Sequence, residues 1–108
     1  MVFPGAVIGP GVAVGEHAVI NAGATVSHES LLGDYCTLAP GAHLAGNTVA
    51  GEGCEIGIGA VTIQGVRLGA WSILGSGAVA LGDVPANATA VGVPARVITT
   101  REDKWHEG

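Results

Sequence analysis

Residues 56–80 read IGIGAVTIQGVRLGAWSILGSGAVA, and within them Ile56, Thr62, Leu68, Leu74 and Ala80 recur at every sixth place. Toward the N-terminus the same step runs without insertion through Ala50, Leu44, Leu38, Leu32, Val26, Ile20, Val14, Ile8 and Val2. Only Thr62 in this series is polar. Four places after each member comes a small or modest side chain, as in Ala24, Ser30, Cys36, Ala42, Thr48, Cys54 and Ala60. The place after the aliphatic is often glycine, at Gly9, Gly15, Gly33, Gly51, Gly57, Gly69 and Gly75, which suits a corner whose backbone a Cβ would resist. A helix needs an apolar spacing of about 3.6 and would not survive this glycine content; ordinary strands alternate and do not hold a period of six. Short strands joined by tight turns and coiled as a parallel β-helix satisfy the pattern, with each aliphatic inside and each coil hydrogen-bonded to its neighbours. Three hexads close one triangular coil. Residues 2–85 then make about four and two-thirds coils, roughly 20 Å tall at sheet spacing.

Composition narrows the function classes. Nine Asp and Glu against four Lys and Arg give a net charge of -5, which opposes DNA, RNA and an anionic membrane surface. Glycine interrupts every apolar run before it reaches membrane-spanning length, and no charged n-region precedes an apolar h-region, so a cytoplasmic protein is expected. Residues 1–85 are expected to form the solenoid and 86–108 a C-terminal extension, whose polar end TTREDKWHEG, containing His106, reads as a frayed helix end or a disordered tail.

Residues eighteen apart fall in vertical columns. Cys36 and Cys54 are successive inward members of one column, too far apart and wrongly aimed for an unstrained disulfide, and read as buried free thiols. Outward columns Val7, Thr25, His43, Val61, Val79 and Ala13, Leu31, Val49, Arg67, Pro85 carry more aliphatics than a monomer's surface needs, which implies that at least one flat face is covered by another copy. The column His17, Tyr35, Gly53, Trp71 is either a packing stripe or the border of a bound cofactor.

The stretch VSHESLLGDYC, residues 26–36, places His28 and Glu29 side by side at a corner, with Gly46 directly above His28. A histidine near neutral pH can take a proton from an attacking amine or hydroxyl, and a nearby carboxylate raises its basicity. Adjacent residues diverge unless the backbone bends, so the residues alone leave open a catalytic pair or two solvated corner side chains. His43, among outward aliphatics, and His17, without an acidic neighbour, are competing bases.

The hexads IGPGVA, LGDYCT, IGIGAV and LGSGAV, with the closing DVPANATAVGVPARVI, resemble the hexapeptide-repeat acyltransferases, whose fold is a left-handed parallel β-helix. Within that group SHES followed by LLGDYCTLAPGAHLAGN is similar to the bacterial sugar acetyltransferases of the sialic acid and nucleotide amino-sugar type. The resemblance implies a homotrimer that moves an acetyl group from acetyl-CoA to an amino or hydroxyl group of a sugar or nucleotide sugar, without a covalent acyl-enzyme. His28 would be the general base, assisted by Glu29. Gly46 would offer its N–H to the thioester oxygen, and Ile58 and Ser76 would line the pantetheine and adenine path. Thr37 stands where relatives often carry a second histidine that contacts the cofactor. The basic residues Arg67, Arg96, Arg101 and Lys104 all lie in the C-terminal half, the end that the CoA phosphates should prefer, with a solvated tail as the other reading of Arg101 and Lys104.

Two other readings share the fold. Gamma-type carbonic anhydrases need three histidines around zinc, but the solenoid's histidines stand 11 and 15 residues apart without an HxxxxH, so no metal is expected. The chain also starts at its first hexad, without the N-terminal domain that holds the acceptor in these sugar acetyltransferases. A naturally short relative, a fragment, or a non-catalytic trimeric scaffold would each account for that, and Pro4 and Pro10, which blunt the lower edge, favour a chain made to end there.

Overall fold

Each hexad contributes a two-residue strand followed by a tight turn, and three strands complete a coil. The computed structural model describes residues 1–102. In chain order the solenoid strands are β1 (Val7–Ile8), β2 (Ala13–Val14), β3 (Val19–Ile20), β4 (Thr25–Val26), β5 (Leu31–Leu32), β6 (Thr37–Leu38), β7 (His43–Leu44), β8 (Val49–Ala50), β9 (Glu55–Ile56), β10 (Val61–Thr62), β11 (Arg67–Leu68), β12 (Ile73–Leu74) and β13 (Val79–Ala80). They stack into three parallel sheets, which are the faces of a left-handed triangular β-helix. The first face is β1-β4-β7-β10-β13, the second β2-β5-β8-β11, and the third carries β3-β6-β9-β12. Registers such as Thr25↔His43, Leu31↔Val49 and Thr37↔Glu55 confirm the eighteen-residue columns.

The inward aliphatics form the core. Ile20, Leu38 and Leu44 are fully buried, and Ile56 and Leu74 nearly so, each contributing about 1.5–3 kcal/mol by leaving water. At the lower end of the stack Val2, Ile8 and Val14 occupy the same column positions but are 52%, 37% and 40% exposed, because no coil of the described residues lies beneath them. Cys36 and Cys54 are buried free thiols. Cys36 Sγ donates to Gly51 O at 3.0 Å and Cys54 Sγ to Gly69 O at 3.1 Å. The neighbouring Cys54 thiol and burial push the Cys36 thiol up, so it stays protonated and unreactive.

The glycines after the aliphatics serve a different purpose from the one expected. The left-handed corner conformation belongs to the residue two places further on, as at Gly41 and Gly59, both with φ near +70°, and even at His17, Tyr35 and Trp71. The glycine after the aliphatic is instead a point of close approach between coils. A Cβ on Gly33 would lie 2.8 Å from Glu52 N and 2.9 Å from Gly51 C, both backbone atoms of the coil above. Gly33→Ala is therefore expected to destabilise the solenoid by about 1–3 kcal/mol through overpacking, read as a lower midpoint in chemical denaturation.

Above β13 the chain leaves the six-residue frame. β14 (Ala88–Val91) adds in parallel to β12 with Thr89 opposite Ile73, and β15 (Arg96–Thr100) returns antiparallel to β14. Thr99 and Thr100, expected in a frayed helix end or disordered tail, are thus in a strand, whose backbone bonds go to β14. Arg101, offered as a partner for CoA phosphates or as a solvated side chain, is not a solvated tail residue but half-buried. Its guanidinium donates to Trp71 O at 2.7 Å and to Thr89 Oγ1 at 2.6 Å, tying the end of β15 to the corner below. Lys104 and His106 lie outside the described residues.

Candidate active site

His28 and Glu29 form the turn between β4 and β5, where the first face meets the second. Both are exposed, and Glu29 holds a φ of +59°, so the backbone does bend at this pair. The bend sends the two side chains apart. The His28 ring rises onto the coil above with its Nε2 end against Gly46: a Cβ there would collide with His28 Nε2 and stand 2.7 Å from Cε1. The ring covers Gly46, which is buried. The Glu29 carboxylate descends onto the coil below, where its Cδ would lie 2.5 Å from a Cβ on Gly11. No hydrogen bond joins His28 to Glu29 among the described residues. The imidazole therefore meets the Gly46 backbone, while the carboxylate is turned away from it toward Gly11.

His43, the competing base, lies on β7 in the middle of the first face, and its Nδ1 is 2.7 Å from Thr25 Oγ1. His17 stacks on Tyr35, with ring centroids 5.2 Å apart and an interplanar angle of 13°. Trp71 folds down over Gly53, where its ring occupies the place a Cβ would need.

A second feature lies at the opposite edge of the first face. Where the third face turns into the first, Thr37, Glu55, Ile73, Gly57, Gly75 and Ser76 line a groove of about 260 Å³. Thr37 and Ser76 share this groove, and Ile58 stands exposed on the same corner beside Gly57. Gly46 is not with them, since it belongs to the His28 corner. Sequence reading missed Glu55 and Ile73, although both share the outward column of Thr37 and could have been found from it. Among the described residues no group of three or more His, Cys, Asp or Glu is arranged to hold a metal ion, and no helix is long and apolar enough to cross a membrane.

Comparison with solved structures gives this geometry a context. The acetyltransferase domain of PglB from Neisseria gonorrhoeae FA1090 superposes with a TM-score of 0.79 at 33% identity over 91% of this chain and 57% of that one. The solenoid of this chain is similar in fold to hexapeptide-repeat acetyltransferases of known structure. A His-to-Asn variant of perosamine N-acetyltransferase from Caulobacter crescentus, in complex with CoA and GDP-perosamine, matches at 32% identity with a TM-score of 0.73, over 91% of this chain and 55% of that one. The hexapeptide-repeat acetyltransferase VCA0836 from Vibrio cholerae superposes with a TM-score of 0.87 at 23% identity, over 94% and 70%, which bears on the fold alone. This hexapeptide-repeat chain thus spans a little over half the length of the gonococcal and Caulobacter proteins. The gonococcal domain has also been solved in complex with acetyl coenzyme A. No protein-family model matches the chain, nor does a curated protein sequence.

Proposed function

We propose that the chain transfers an acetyl group from acetyl-CoA to an amino or hydroxyl group of a sugar or nucleotide sugar, with His28 as the general base. The observation that carries the reading is the exposed His28 imidazole resting on the bare backbone of Gly46. That arrangement puts a proton acceptor directly against a stretch of backbone that carries no side chain of its own. An acceptor amine or hydroxyl loses its proton to His28 as it attacks the thioester carbonyl; the new C–N or C–O bond forms, and the C–S bond then breaks to release the CoA thiolate. The developing oxyanion would take its hydrogen bond from Gly46 N–H, a close backbone approach that glycine permits.

The groove of Thr37 and Ser76, with Ile58 at its rim, is the proposed path of the pantetheine and adenine. It and the His28 corner are separated by the whole first face of one solenoid. A homotrimer with parallel axes would set one copy's His28 corner beside a neighbour's groove, and the exposed Val7 and Leu31 of the outer faces support such burial. The acceptor class rests on the likeness to PglB and to perosamine N-acetyltransferase, the latter solved with GDP-perosamine.

The test is release of free CoA thiol from acetyl-CoA across a panel of amino sugars and nucleotide amino sugars, with sedimentation on the same sample. Acceptor-dependent thiol release by a trimer is expected. A protein that binds CoA but releases no thiol with any acceptor would be a scaffold, and the reading would fall.

A further inference from the structure

Inside the solenoid, behind the His28 corner, three buried hydroxyl side chains lie together, apart from Ser72, which pairs with Cys54 elsewhere in the core. Ser30, Thr48 and Thr62 are all buried, and their hydrogen bonds converge on one residue, Ala45. Ser30 Oγ donates to Ala45 O at 3.1 Å and accepts the Thr48 N–H at 3.1 Å. Thr48 Oγ1 donates to the same carbonyl at 2.8 Å and lies 3.0 Å from Thr62 Oγ1. Thr62 Oγ1 in turn accepts the Ala45 N–H at 3.2 Å.

A hydroxyl has one proton to give. The Thr48 proton is committed to Ala45 O, so Thr62 is the donor between the two threonines, and every proton in the relay has a set direction. Elsewhere on this face the backbone ladder does this work: Ser27 N–H donates to Leu44 O, and Ile63 N–H to Ala80 O. At Ala45 both backbone polar groups are held by side chains instead.

The consequence lies in one peptide unit. The Ala45 carbonyl and the Gly46 N–H belong to the same planar trans peptide, in which C=O and N–H point to opposite sides. Two hydroxyls drawing the carbonyl into the core turn the Gly46 N–H outward, at the corner that the His28 ring covers. A partly polar interior costs stability that an aliphatic at position 62, like those at the other inward positions, would avoid. We propose that Ser30, Thr48 and Thr62 are positioning residues that hold the Ala45–Gly46 peptide with its N–H presented to the reacting thioester. The proposal rests on the reading of this corner as the acetyl-transfer site.

The test compares Thr62→Val and Thr48→Val, which keep shape and remove the hydroxyl, with Thr62→Ser, which restores it. Acetyl transfer by the valine variants is expected to fall about 10- to 100-fold in kcat, as for a displaced reacting group. KM for acetyl-CoA should stay within about twofold, because the hydroxyls do not touch the donor. Thr62→Ser should recover most of the rate. In ¹H–¹⁵N spectra the Gly46 amide resonance should move in the valine variants and return in Thr62→Ser. If a valine variant does not fold, Ser30→Ala removes one of the two donors to Ala45 O and should lower kcat and shift the same amide. Unchanged kcat and an unmoved Gly46 amide in folded variants would overturn the positioning role, even with His28→Ala inactive. Full activity of His28→Ala would instead overturn the reading of the corner, whatever the amide does.

Discussion

His28→Ala is expected to lower kcat for acetyl transfer by about 10²- to 10⁴-fold, the range for loss of a positioned general base. The side chain is exposed and rests on Gly46 outside the apolar core, so the melting temperature should hardly change on its removal. Acetyl-CoA affinity should also persist, because the proposed donor groove lies across the first face from His28. Steady-state kinetics with CoA titration separates these quantities. Unchanged kcat would move the base elsewhere, with His43, held at Nδ1 by Thr25, the next residue to replace. Glu29→Ala should cost much less than His28→Ala, because its carboxylate turns down onto Gly11 and makes no hydrogen bond to the imidazole.

Gly46→Ala is expected to be nearly as damaging, about 10²-fold in kcat, for a steric reason. A methyl group at position 46 would meet His28 Nε2 and Cε1, and beneath it is backbone that the Ser30 and Thr48 hydroxyls hold in place. The ring is the movable partner, so it must swing off the coil. Gly46 is not among the residues with positive φ, so alanine adds no backbone strain and the fold should survive. A changed His28 imidazole resonance in a folded, poorly active Gly46→Ala protein would show displacement; full activity would show that the ring does not act from this position. Gly53→Ala makes the contrast, since there the collision is with Trp71 and φ is +69°, and the loss should fall on stability.

Much of this site was legible from residue spacing. Because the frame runs without insertion, positions eighteen apart are vertical neighbours, and that alone put Gly46 over His28; the same rule, not applied to Thr37, sets it in line with the overlooked Glu55. The direction of a side chain at a corner was not legible. Glu29 follows His28 in sequence, and only its left-handed φ sends the carboxylate down while the ring goes up. The polar exception Thr62 was visible as an exception, but its meaning required knowing that Ser30 and Thr48, unremarkable members of the small-residue column, converge on the same peptide. The glycines that follow the aliphatics were found for the wrong reason: their constraint is the backbone of the next coil, an interaction between hexads that a pattern within one hexad does not contain.

By itself the sequence determined the six-residue period, the inward column, the triangular coil and the stacking of His28 under Gly46, because a helix of short strands has one repeat length and every column follows from it. Tertiary structure alone decided which way His28 and Glu29 lean, that Arg101 ties β15 down, that the Thr37–Ser76 groove and His28 stand at opposite edges of a face, and that three buried hydroxyls bond to one residue. The physical reason is range. A repeat encodes the environment that all its copies share, whereas these features come from contacts between particular side chains one or more coils apart.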